Sequence, residues 1–304
     1  MGEPKEFSQI SWGPAMADDC RRLVRLWVRE DLGRQQDWTT VGLVAADQPG
    51  RAAVVVRCPG VLCGMTAAAE AIDEMQLDAD WTIICADGDV VDADTTVAVI
   101  EGQSRDLLTA ERLLLNLIGR LSGVATLTRR YLEAMGPATA RLYDTRKTTP
   151  GWRRLEKFAV RCGGGHNHRR GLDDAILIKD NHLALAGNIS PGEAIRRLHS
   201  FVNGTTALAD RDLLIEVEVD RLEQLEDALH AGPDIVMLDN MDPDQLRDGV
   251  ARRDSIAPAV QLEASGGINL ETIREVAATG VERISVGALT HSAVNLDVGL
   301  DWRE

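Results

Sequence analysis

No uncharged run in this 304-residue chain reaches the ~18 residues of a membrane span, and the opening MGEPKEFSQI lacks the apolar segment of a secretory leader. A cytoplasmic protein without membrane contact is therefore expected. Cysteine is sparse: five residues (20, 58, 63, 85 and 162), an odd number with no CxxC pair, give neither a disulfide framework nor a zinc site. No stretch is rich in Ser, Gly or Pro, so nothing reads as a flexible linker. Positive charge is in deficit, with 33 Lys and Arg against 48 Asp and Glu, a net charge of −15 and a pI near 4.9. That excludes the broad basic face nucleic acid requires. Lysine is scarcer still: only Lys5, Lys147, Lys157 and Lys179 occur, so a lysine at a strand end carries weight. What remains, 44% hydrophobic residues and ample length, suits a soluble protein with a large core.

Against this acidity stands one cationic island. RCGGGHNHRRGLDDAILIKDNH (161–182) holds three of the six histidines, four cations and a triple glycine. Over 141–182 ten Lys and Arg face five acids, a local charge of +5, leaving −20 for the rest of the chain. Such an island is built to hold something anionic.

From residue 140 onward short β-branched runs alternate with amphipathic stretches. The runs are ARLYDT (140–145), AILIKD (175–180), LLIEVEVD (213–220), DIVMLDN (234–240), VQLEASGG (260–267) and RISVGA (283–288). Helical spacing fills the intervals, and Gly232 and Gly280 are placed to end two of the helices. Successive parallel βα units predict an α/β fold with a TIM-like barrel, and no GxGxxG follows any strand to favour a dinucleotide fold. The first ~115 residues instead read as an α+β sandwich: a helix near 16–31, strands in RAAVVVRC, VLCG, WTIICADG and TTVAVIEG, a helix at 65–76 and a long one over 105–135. The expected domains are 1–115, with 291–304 returning to it, and 116–290.

Ligands of parallel barrels bind at the C-terminal strand ends. Those ends bring together Arg146 and Lys147, Lys179, Glu218, Asp239, Ser265-Gly266-Gly267 and Gly287. Each has a plainer reading: Arg146 or Lys147 as a surface cation, Glu218 or its strand neighbour Glu216 as a barrel-lining acid, Asp239 as a helix cap, SGG as a turn into a helix at Asn269. Their convergence on one face is harder to explain that way. The glycines offer bare backbone N–H groups after the last two strands, where phosphate is commonly held. Cations beyond the need of one phosphate, and two carboxylates that bind Mg²⁺ or face a developing positive centre, suggest sugar-phosphate transfer through an oxocarbenium-like state.

TRKTTPGWRRLEKFAVRCGGGHNHRRGLDDAILIKDNH, with EVEVD, LDN, EASGGI, ISVGALTHS and ERLLLNLIGRLSGVAT (111–126), closely resembles the quinolinate phosphoribosyltransferases over nearly the whole chain. The resemblance implies condensation of quinolinate with phosphoribosyl pyrophosphate, releasing pyrophosphate and CO2 and giving nicotinate mononucleotide for NAD synthesis. It implies that Arg146, His168 and Arg169 clamp the two quinolinate carboxylates with Lys179 close by and Thr145 also binding substrate, and that Lys147 lies between the substrates near the pyrophosphate. Glu218 and Asp239 match the acids near ribose and Mg²⁺, and Ser265, Gly266, Gly267, Val286, Gly287 and Ala288 the 5′-phosphate cradle. Arg112 matches an arginine that enters the neighbouring subunit's site in a homodimer.

Three positions depart from the pattern: DLGRQQDWTT lacks the glycine expected before Asp37, and Trp152 and Arg170 stand where smaller or aliphatic residues are usual, Arg170 adding a cation beside the clamp. Rival readings are a paralogous phosphoribosyltransferase with another substrate, a Schiff-base aldolase using Lys179, and a non-catalytic phosphate-binding protein.

Overall fold

The computed structural model describes residues 5–208 and 211–303; the expected domain limits at Met1 and Glu304 fall outside them. The chain divides into two compact units, one built from Met1–Gln9, Arg130–Lys147 and His166–Ala288, the other from Ile10–Arg129, Thr148–Gly165 and Leu289–Glu304.

In the second of these, strands β1 (Pro49–Val56), β3 (Ala79–Ile83) and β5 (Thr96–Gln103) are antiparallel neighbours, and β2 (Gly60–Val61) pairs with β4 (Val90–Val91). The first helix, Pro14–Leu32, buries Met16, Ala17, Cys20 and Val24, one stripe at helical spacing, and packs on helix Met65–Glu74. Arg21–Glu70 and Arg25–Glu74 pairs, each at 2.6 Å, border that contact. Asp37 caps helix Trp38–Leu43 by accepting from the Thr40 amide, so the segment without the expected glycine closes on a side-chain cap. Trp152 stacks on Trp27 with centroids 4.7 Å apart, which occupies the volume of that unusual side chain.

The other unit is the α/β barrel. Its parallel strands are β6 (Arg141–Tyr143), β7 (Ile176–Ile178), β8 (Ile215–Val219), β9 (Ile235–Asp239), β10 (Gln261–Ser265) and β11 (Arg283–Ser285), in the order β6-β11-β10-β9-β8-β7. Between β6 and β7 lies a seam, where His166 makes a single parallel bridge to Tyr143. Val217, Val236, Leu238, Leu262 and Ile284 are wholly buried, as near-continuous apolar strands between helices require. Asp242, with Pro243 behind it, caps helix Pro243–Ile256 through the Asp244 and Gln245 amides. Gly232 is a left-handed C-cap at φ 70°. Gly280 is not: the preceding helix, Ile273–Ala277, stops earlier, and Gly280 (φ 98°) turns the chain toward β11.

The segment from Lys5 to Gln9 closes the end of the barrel away from the strand C-termini. Phe7 is 4% exposed and clusters with Tyr143, Ala175, Leu214 and Ile235. The Arg283 guanidinium, itself wholly buried, lies 5.2 Å from the Phe7 ring centroid and 4.7 Å from that of Tyr143. It also meets Glu6 at 3.1 Å and Gln261 at 2.7 Å. Strand β12 (Val298–Arg303) belongs to the unit that holds β1 and pairs antiparallel with it over Arg51↔Arg303 to Val56↔Val298.

Phe7→Ala removes the apolar plug and leaves Arg283 without its ring. A loss of ~3–5 kcal/mol is expected in denaturant unfolding; a loss below ~1 kcal/mol would show that the segment is no part of the core.

Candidate active site

Each barrel strand hands its last residues to one mouth. After β6 come Asp144, Thr145, Arg146 and Lys147. Asp144 is wholly buried and accepts from Asn167 Nδ2 at 2.7 Å and from the His168 amide at 2.9 Å, tying this loop to the 167–169 segment. Gln9 grips the same segment from below, accepting from the Asn167 amide at 2.8 Å and donating to its carbonyl at 3.1 Å. After β7, the Lys179 amide donates to His182 Nδ1 at 2.9 Å, starting helix Asp180–Leu185, and the Lys179 ammonium pairs with the Glu218 carboxylate at the end of β8. Asp239 on β9 and Ser265 on β10 are register neighbours, and Asn240 Nδ2 donates to Asp239 Oδ2 at 2.6 Å.

These ends enclose a cavity of about 450 Å³ lined by Thr145, Arg146, Lys147, His168, Arg169, Lys179, Glu218, Asp239, Ser265, Gly266 and Gly267, with Leu177, Met237, Asn240 and Ser285 completing the wall. Four cations, Arg146, Lys147, Arg169 and Lys179, face two carboxylates, one of them already paired. A cavity of similar size in the other unit is edged by Asp78, Asp80 and Glu101 and would repel anions. Arg169 is buried, and its pKa is lowered first by that burial and then by Arg146 beside it, while Arg146 Nε is buried without a hydrogen-bond partner among the described residues. Two guanidiniums forced together in this way gain most from a ligand carrying two negative groups.

The phosphate-like corner has its own geometry. Gly266 and Gly267 adopt φ 89° and 64°, and a Cβ at Gly266 would lie 2.3 Å from Asn240 Oδ1. The turn also leads to Asn269, whose carboxamide caps Glu271 and Thr272, so the turn and the cradle are one object. Val286, Gly287 and Ala288 follow the lining residue Ser285 but do not themselves line the cavity. Arg112 lies elsewhere, exposed on helix Ser104–Met135. Arg170 does not extend the cation cluster: its guanidinium pairs with Asp174 at 2.6 Å, and that local pair satisfies its charge outside the cavity. Glu218 engages the Lys179 nitrogen, which a Schiff-base nucleophile would need free to attack a carbonyl.

Beneath the mouth lie Glu216, expected as a barrel-lining acid, and Glu263, which strand-end position does not point to. Glu216 and Glu263 are wholly buried around His168, whose Nε2 is 3.1 Å from Glu216 Oε2 and 3.4 Å from Glu263 Oε1. Period-two alternation does place Glu216 on the inner face with Glu218, but depth along the barrel is not written in alternation.

The family described as quinolinate phosphoribosyl transferase, C-terminal domain, matches residues 124–301, and its N-terminal domain matches 37–122. The nicotinate-nucleotide pyrophosphorylase [carboxylating] of Mycobacterium leprae is 41% identical over 286 residues, covering 93% of this chain and 97% of that protein. A probable nicotinate-nucleotide pyrophosphorylase [carboxylating] of Bacillus subtilis is 38% identical, covering 92% of each. The solved nicotinate-nucleotide pyrophosphorylase of Francisella tularensis superposes with a TM-score of 0.87 at 36% identity, over 98% of this chain and 100% of that one.

Gly266→Ala forces a side chain into left-handed backbone against Asn240, a strain of ~1–3 kcal/mol. Titration with inorganic pyrophosphate and with a ribose 5-phosphate is expected to show ~10-fold weaker binding of the phosphate ester or more; unchanged affinity for both would remove the cradle.

Proposed function

The chain belongs to the quinolinate phosphoribosyl transferase family, and we propose that its barrel mouth joins quinolinate to the ribose of phosphoribosyl pyrophosphate, giving nicotinate mononucleotide, pyrophosphate and CO2. The observation that carries this reading is the gathering, in one cavity, of an arginine pair, a bare-backbone glycine turn and two carboxylates. Arg146 and Arg169 take the two carboxylates of quinolinate, with His168 and Thr145 at the same wall and Lys179 beside them. Lys147, exposed at the rim, meets the pyrophosphate. Ser265, Gly266 and Gly267 receive the 5′-phosphate, with Val286, Gly287 and Ala288 as the adjoining backbone.

As the C1–pyrophosphate bond stretches, positive charge gathers on the ribose ring, and the pyridine nitrogen attacks C1 from the opposite side. Glu218 and Asp239 face that charge and stabilise it more than the neutral ground state, which is the condition for a contribution to kcat. The same two carboxylates, with open cavity in front of them, match the sparse protein ligation of Mg²⁺, which takes one or two carboxylates together with substrate phosphates. Bound there, the ion would neutralise charge on the departing pyrophosphate. Once the ring nitrogen is quaternary, its positive charge stabilises the electron pair left on C2 as CO2 departs, and a proton from water then takes that position. Among the described residues no helix is long and apolar enough to cross a membrane, and we place the reaction in the cytoplasm.

Arg112 is proposed to complete the site of a second copy in a two-fold dimer; its exposure on helix Ser104–Met135 supports this. Mixing separately inactive Arg112→Ala and Lys179→Ala proteins after dissociation is expected to restore roughly a quarter of wild-type activity. No recovery would place Arg112 in its own chain's chemistry.

Incubation with quinolinate, phosphoribosyl pyrophosphate and Mg²⁺ is expected to yield nicotinate mononucleotide and CO2, with nicotinate a poor substitute because it leaves a guanidinium unpaired. Glu218→Gln and Asp239→Asn should each lower kcat on the order of 100-fold with a smaller change in KM. Equal turnover of nicotinate, or unchanged kcat in both folded variants, would overturn the assignment.

A further inference from the structure

Beneath the cavity, three ionisable side chains share one small volume. Glu216 from β8 and Glu263 from β10 are wholly buried, and the polar atom both face is Nε2 of His168, at 3.1 and 3.4 Å. The other ring nitrogen, Nδ1, accepts from the Arg169 amide at 2.9 Å. Phe7 covers one ring face at 4.2 Å between centroids, and the His168 amide is held by Asp144. Arg283 from β11 acts electrostatically on both glutamates, and Ser285 and Arg169 border the group.

A nitrogen that accepts an amide N–H carries no proton, so the ring's proton lies on Nε2, pointing at the two carboxylates. We propose that Glu216 and Glu263 are positioning residues for the dicarboxylate subsite: by taking the Nε2–H of His168 they fix its tautomer, which leaves Nδ1 to hold the Arg169 amide and so to aim Arg169 into the cavity. The arrangement parallels the outer partners that orient metal-bound histidines, with an arginine in place of the metal. Arg169 NH1, braced on the Ala175 carbonyl at 3.1 Å, leaves the rest of its fork for ligand. The side-chain atoms of the three residues lie within 4.8 Å of one another, but an Nε2 that carries the ring proton cannot ligate a metal ion.

Burial opposes a charged ring and the two glutamates favour one, so electrostatics alone would hold a second ring proton. That proton could sit only on Nδ1, where it would meet the Arg169 amide N–H head-on, and this contact keeps the ring neutral with its single proton on Nε2.

The inference rests on the quinolinate reading of the cavity, and its test separates the two. In ¹⁵N-histidine NMR of the wild-type protein at neutral pH, His168 should show one protonated nitrogen, Nε2, and one bare nitrogen, Nδ1; two protonated nitrogens would overturn the relay whatever the substrate. In kinetics, Glu216→Ala and Glu263→Ala should raise KM for quinolinate ~10-fold or more, with KM for phosphoribosyl pyrophosphate changed less than ~3-fold. The Gln variants, whose amide oxygen still accepts Nε2–H, should stay within ~3-fold of wild type. A parallel rise in both KM values, no rise, or Gln variants as impaired as Ala would refute the assignment. A wild-type protein inert toward quinolinate would refute the functional reading instead, and the NMR result would still judge the trio.

Discussion

A guanidinium held at the mouth of a protein barrel is unstable unless charge below it is fixed and charge above it arrives with the ligand. Arg169 meets that constraint here, crowded by Arg146 and stripped of water by burial. Its amide is anchored on His168, His168 on the two buried glutamates, and the whole segment on Asp144 and Gln9. The barrel strands act as rigid posts that set these groups at successive depths. The cavity is therefore prepared for an anion before any ligand enters, so little rearrangement opposes binding.

The N-terminal segment extends the same logic downward. Arg283 is wholly buried among Phe7, Tyr143, Gln261 and Glu6, with aromatic faces supplying part of what a carboxylate alone would give. One cation under the trio and several above it alternate in sign along the barrel axis, which limits the repulsion that a uniform stack would accumulate.

Much of this was legible in the residues. Strand-end position alone brought Lys179, Glu218, Asp239 and the Ser265 glycine turn to one place, because parallel strands have only one C-terminal side. The barrel strands followed from their apolar runs. What the residues do not show is long-range or short: β4, the strand form of Val298–Arg303, helix Asp180–Leu185, the bridge at His166, and the plug at Phe7. The strands, the bridge and the plug depend on partners far along the chain, which a local pattern cannot name, and the six-residue helix is too short to show a period. Glu263 sits in a run that reads as apolar strand with one stray acid; only the fold reveals the imidazole opposite it. Arg170 shows the converse, since its place beside Arg169 in sequence says nothing of the ion pair it makes with Asp174 four residues on.

The pairing of β12 with β1 bears on how this chain can be handled. β1 is sheltered on both sides, by β5 and by β12, and its Ala52–Val56 stretch is buried throughout. Trimming the chain before Val298 would convert that stretch into a bare, β-branched sheet edge, the kind of surface that recruits strands from other molecules. A pull applied at Arg303 would likewise act on a hydrogen-bonded ladder. Reagents attached at this end call for a spacer long enough to leave all six ladder positions undisturbed.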